Sequence, residues 1–156
     1  MPAAIPASVE CLQNAVSLHL TAIEHYATVS EHLARNGYGK LAERFAADAE
    51  EERGHLKAAL ARLEFFQTQP VVTHAAPSWP AYDVPGILQA SLALEQAAAD
   101  AERQHIVEVR GAADEGTAVV FVELLAGSEQ SIRELEADLF TLGQVGADNW
   151  LANQIA

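Results

Sequence analysis

In four long stretches of this chain the apolar residues return every three or four positions, the period of a helix that buries one face. From Val9 to Arg35 the series is Leu12, Val16, Leu20, Ile23 and Ala27; Ser8 stands where a cap is needed, and Asn36-Gly37 supplies a stop. A second stretch, about 38–68, carries Leu41, Phe45, Leu56, Leu60 and Leu63 and ends before Pro70. A third, about 85–113, is mostly Leu and Ala and opens on Pro85, a residue suited to a first helical turn. Gly111 and Gly116 bracket a break, and a fourth stretch, about 117–142, aligns Phe121, Leu124, Ser128, Ser131, Leu135 and Leu142 on one seam. Past Gly143 and Gly146, residues 147–155, Trp150 among them, fit a short fifth helix.

The link between the second and third stretches contains Pro70, Pro77 and Pro80 and has little periodicity. A connection of that length spans a bundle rather than turning at one end. Two helical hairpins joined by a long crossover describe an all-α, antiparallel four-helix bundle with a short fifth C-terminal helix, in one domain. A length of 156 residues suits one core, and a chain half hydrophobic but only 6% aromatic favours helices over sheet. An extended helical oligomer is the alternative, and four separate helices with turns weigh against it.

A formal charge of -13 argues against nucleic acid as a partner and suits attraction of cations. Cys11 is the only cysteine, so it reads as a small buried hydrophobe in a reducing compartment. With no basic leader segment and no apolar run long enough to span a membrane, the expected location is the cytoplasm. The sequence shows no Gly-rich phosphate loop, no Cys-x-x-Cys pair and no nucleophile elbow.

The chemistry gathers at Glu52 and His55, whose spacing puts a carboxylate and an imidazole on one helix face, able to share a ligand. Glu52 follows His19 by 33 residues, and Ser128 follows Glu95 by the same interval. Each half therefore offers a polar residue in mid-helix, a second 33 residues on, and a third three further: His19, Glu52 and His55, then Glu95, Ser128 and Ser131. The halves look like a duplicated unit.

Several segments resemble the bacterioferritins of the ferritin-like superfamily, over nearly the whole chain. They are Leu18-His-Leu-Thr-Ala-Ile-Glu-His-Tyr26, Gly39-Lys-Leu-Ala-Glu-Arg-Phe45, the Glu52-x-x-His55 pair, Leu92-Ala-Leu-Glu95 and Gly146-Ala-Asp-Asn-Trp-Leu151. The resemblance implies a ferritin-type bundle in which a Glu from each of helices one and three, and a Glu-x-x-His from each of helices two and four, hold two irons. Glu52, His55 and Glu95 match that pattern; His19 replaces the first-helix Glu, and Ser128-x-x-Ser131 the fourth-helix pair. Arg53 stands where the family's haem-gripping Met would be, so no haem is expected. The family's subunits pair along helices one and two and often close into a hollow shell, which implies a homo-oligomer, a dimer or larger, with a paralogous ferritin subunit as a further partner.

Two divalent ions bring four positive charges, and at these positions only Glu52 and Glu95 remain to oppose them. The expectation is one metal ion per subunit, iron or zinc, with His19, Glu52, His55 and Glu95 as donors. Each has a plainer reading: a solvated helix face for Glu52 and His55, a hydrogen-bonded core histidine for His19, and for Glu95 a partner such as Arg53. Ser128 and Ser131 are expected to bond back to their own helix. Tyr26 reads as core, Glu102 as either inward-facing or paired at the surface with Arg103 or Lys57, and His25, His74 and His105 as surface residues. The acidic run from Asp48, Glu52 apart, reads as a solvated face. Three functions follow: an iron-storage or iron-homeostasis protein with weak or absent ferroxidase activity, a structural shell subunit without metal, and a mononuclear metal protein of unnamed reaction.

Overall fold

A proline decides where the chain becomes helical. Pro6 occupies the first turn of α1 (Pro6–Arg35), where its missing N–H is no loss, so the helix starts earlier than Val9 and Ser8 lies buried inside it instead of capping it. The computed structural model describes residues 3–73 and 82–155, and all regular structure among them is helical: α1, then α2 (Gly39–Phe65), α3 (Val84–Gly111), α4 (Glu115–Val145) and α5 (Ala147–Ala152).

The other helix ends also have local causes. Gly37, at φ 85°, turns the chain from α1 into α2, as the Asn36-Gly37 pair implies. α2 stops at Phe65, short of the expected 68, because Gln67 enters the left-handed region at φ 53°. Asp83 caps α3 by accepting from the Gly86 N–H, and Asp114 caps α4 by accepting from the Thr117 N–H. α4 runs through Gly143 to Gly146, whose φ of 81° lets the chain turn into α5 and bury Trp150.

α1 packs mainly on α2 and α3 mainly on α4, the two hairpins facing one another through α1 and α3 and through α2 and α4. The described parts of the crossover meet opposite ends of α1. Gln13 receives the Val71 N–H at 2.6 Å and donates to the Gln69 carbonyl at 3.0 Å, while His32 stacks on Tyr82 at 4.4 Å between ring centres. At 1.5 Å rise per residue these anchors lie roughly 28 Å apart along α1, so the connection spans the bundle. Pro77, Pro80 and His74 lie outside the described residues. Among the described residues, no helix is long and apolar enough to cross a membrane.

The apolar interior is divided. One cluster holds Tyr26, Leu33, Phe45, Leu88, Leu135 and Trp150; the other holds Leu12, Val16, Leu63, Val109, Phe121 and Leu124. On all four long helices, the residues between the two clusters include buried polar ones: His19 on α1, Glu52 on α2, Glu95 and Glu102 on α3, and Ser128 on α4. The mid-helix positions of the duplicated pattern form a polar layer between two apolar ends.

Candidate metal centre

Glu52 is the hub of this layer. It lies one helical turn beyond Ala49 on the inward stripe of α2, 5% exposed. One carboxylate oxygen meets His19 Nδ1 at 2.7 Å and the other His55 Nδ1 at 3.2 Å. The two rings stand edge to face with centres 5.3 Å apart. Burial alone would raise the Glu52 carboxyl, but the bonds from His19 and His55 outweigh it and bring it down to about 2. Burial would lower the His55 imidazole, and the Glu52 carboxylate overcomes that and raises it. A carboxylate only accepts, so both rings present Nδ1–H to it, and a neutral ring then keeps its lone pair on Nε2. His19 Nε2 is buried with no hydrogen-bond partner.

His55 owes its position to a residue without a side chain. A Cβ on Gly127 would lie 2.7 Å from His55 Cε1 and 2.8 Å from Nε2, so the imidazole rests against bare α4 backbone. Glu51 Oε1 flanks the same nitrogen at 3.8 Å.

Glu95 is 1% exposed and carries a different charge state. Burial and then the Glu52 charge push it up to about 8, although the Tyr26 hydroxyl donates to it. Its partner is Tyr26, a core residue with a polar task, while Arg53 pairs with Glu50 on the surface. Glu102 faces inward at 2% exposure and is pushed up to about 7, first by burial. Ser128 donates to Glu102 Oε1 at 3.4 Å instead of bonding back to its helix, and Glu102 Oε2 has no partner. The layer thus holds one ionised carboxylate between two imidazoles, flanked by two carboxyls pushed well above the ordinary range, Glu95 to about 8 and Glu102 to about 7.

Among the described residues, His19, Glu52 and His55 alone bring three metal-type donor atoms within 4.8 Å of one another. Three of the four residues singled out in the sequence converge, and Glu95 stands outside the set. Two histidines expected at the surface are buried: His25, whose Nε2 meets Ser91 Oγ at 2.8 Å, and His105, whose ring packs on Phe121 at 4.9 Å. The signal was present, because His25 lies three residues after Ala22 and four before Val29, and His105 lies four before Val109. Asp48, expected on a solvated face, is half-buried and pushed up to about 6, first by burial. Cys11 is buried as expected, with its thiol on Glu108 at 3.2 Å.

The sequence pattern of the ferritin-like domain matches residues 9–144. The chain belongs to the ferritin-like family. A bacterioferritin of Brucella melitensis is 29% identical over 147 residues, covering 93% of this chain and 90% of the relative. In fold, this ferritin-like chain superposes on Mycobacterium tuberculosis bacterioferritin BfrA with a TM-score of 0.95 at 22% identity, covering 99% of this chain and 98% of the other. Rhodobacter capsulatus bacterioferritin, described with a metal-free dinuclear site and a haem iron, gives 0.95 at 22% identity, covering 99% and 97%.

A two-ion centre of the family kind does not fit the residues this ferritin-like chain presents: α4 brings serine hydroxyls, at Ser128 and Ser131, where a carboxylate and an imidazole would be needed. One cation does fit: two imidazoles and one ionised carboxylate lie together, and the buried His19 Nε2 lacks any other partner.

Proposed function

We propose that this ferritin-like chain is a metal-handling subunit for iron storage or homeostasis that holds one ion, iron or zinc, in its polar layer and oxidises ferrous iron weakly or not at all. The observation that carries this reading is the convergence of His19, Glu52 and His55 within 4.8 Å, opposite an α4 that offers only Ser128 and Ser131. Glu52 supplies negative charge, its hydrogen bonds hold both imidazoles in place, and Glu95 adds a donor only on giving up its proton. When bound, iron would supply one-electron chemistry at this layer. Efficient oxidation by a bridged pair needs a carboxylate that Ser128 is not.

Kinship with the bacterioferritins supports a homo-oligomer, and exposed Val107, Val119, Val122 and Phe140 leave apolar surface for assembly to cover. A cytoplasmic setting suits the unpaired Cys11 thiol.

The test is elemental analysis of the purified chain after loading with ferrous iron and, separately, with zinc. The expected result is about one ion per chain, lost in Glu52→Ala and in His55→Ala while the helical circular dichroism persists. Retention of the ion in both variants would show that the site lies elsewhere. No uptake of either metal by the unaltered chain would leave the polar layer as a purely hydrogen-bonded core.

A further inference from the structure

The Glu-x-x-His pair missing from α4 has a counterpart one helix away. Glu102 and His105 stand three residues apart on α3, so they share a face, and both are buried, at 2% and 8% exposure. Each carries a buried polar atom with no partner, Glu102 Oε2 and His105 Nδ1. A third such atom, His19 Nε2, lies on neighbouring α1. Leaving a buried donor or acceptor unmade costs about 1–3 kcal/mol; among the described residues Ser8 Oγ and Arg44 Nε are also unpartnered, but only these three belong to groups able to ligate a cation, and they lie on the packed helices α1 and α3.

These groups sense one another. His19 and His105 interact electrostatically, as do Glu102 and the Glu52–His55 pair. His105 also lines a cavity of about 380 Å³ between α1 and α3, where Glu10 and Glu108 offer negative charge.

We infer that the ion is completed from α3: His19 Nε2, Glu102 Oε2 and His105 Nδ1 bind it directly, while Glu52 orients His19 from behind through Nδ1. This rests on the reading that the polar layer holds a metal, and it names donors that the bacterioferritin pattern does not include. A carboxylate on one imidazole nitrogen with metal on the other is a recurrent arrangement, because the hydrogen bond fixes the tautomer and makes the ring a better donor. In the present side-chain positions, the only three donor atoms within 4.8 Å of one another among the described residues belong to His19, Glu52 and His55. Glu102 and His105 therefore close on the ion by side-chain rotation, Glu102 releasing its proton to solvent and giving up a single long hydrogen bond of 3.4 Å from Ser128. Two nitrogens and one oxygen suit zinc, cobalt(II) or ferrous iron and leave room for water.

The full-length chain is titrated with cobalt(II) and with zinc, reading affinity and, for cobalt, the visible absorption that reports ligand type and coordination number. Glu102→Gln and His105→Gln are compared with the unaltered chain, each checked for its metal-free melting temperature. We expect each variant to bind more than about 100-fold more weakly and to shift the cobalt spectrum, with Glu102→Asp recovering part of the affinity. Wild-type affinity and spectrum in either Gln variant would remove that residue from the coordination sphere and overturn the assignment, while uptake dependent on Glu52 and His55 would leave the proposed function standing. Absence of uptake by the unaltered chain would overturn both.

Discussion

Replacing Glu95 with Gln should make the metal-free protein less sensitive to alkali. The folded chain holds the Glu95 proton up to about pH 8, against an ordinary carboxyl value of 4.5. Between those values the native state binds a proton that the unfolded chain has released, so stability falls as pH rises. Each pH unit in that window costs the native state about 1.4 kcal/mol, so a rise from about pH 5 to about pH 7 removes on the order of 3 kcal/mol through this one group. Glu102, pushed up to about 7, adds a loss of the same sign. Glu52, held at about 2, acts in the opposite sense, but its contribution is complete above 4.5 and lost only as pH falls toward 2. Gln keeps an amide oxygen to accept the Tyr26 hydroxyl and cannot ionise. Urea unfolding of both proteins in chelator, at about pH 5 and about pH 7, reads the effect. With slopes of about 1–3 kcal/mol per molar urea for proteins of modest size, the wild-type midpoint should fall by about 1–3 M more than that of the variant. Equal losses in the two proteins would mean that Glu95 ionises normally and that the description of the layer is wrong.

Gly127→Ala should lower stability by about 1–3 kcal/mol, although alanine ordinarily favours a helix, because the new Cβ would lie 2.7 Å from His55 Cε1. A thermal melt and a zinc titration check it, and a more stable variant with unaltered zinc binding would contradict the packing of His55. Asp114→Ala should cost about 2–4 kcal/mol, since it removes the α4 cap and leaves Arg62, bonded to Asp114 at 2.9 Å, without that carboxylate. A urea midpoint within error of the wild type would refute that account.

The bundle was legible because each helix repeats its apolar spacing over many turns, so individual exceptions could not mask it. The crossover could be read from Pro70 and its neighbours, because a long aperiodic segment between two helices has few other uses. Helix ends were less legible: Pro6 moved the start of α1, and the stop of α2 rests on Gln67 in a left-handed conformation, which no residue type announces. Within the layer, the 33-residue interval found His19, Glu52 and His55. It could not show that Tyr26 engages Glu95, because that contact joins residues 69 apart in sequence. Glu102, His25 and His105 were misjudged or left open because polar type was weighed above position. All three fall on the inward stripe, and position decided.

The two apolar clusters place nearly all the hydrophobic cohesion of the bundle at its ends. Each end draws on several helices, so its apolar packing is largely made without the side chains that fill the middle. Exchanges there, such as a carboxylate for His19 or serines at 128 and 131, alter charge and donors without opening the packing around Phe45 or Phe121. A protein arranged in this way can drift through different metal chemistries over evolutionary time while remaining the same folded object.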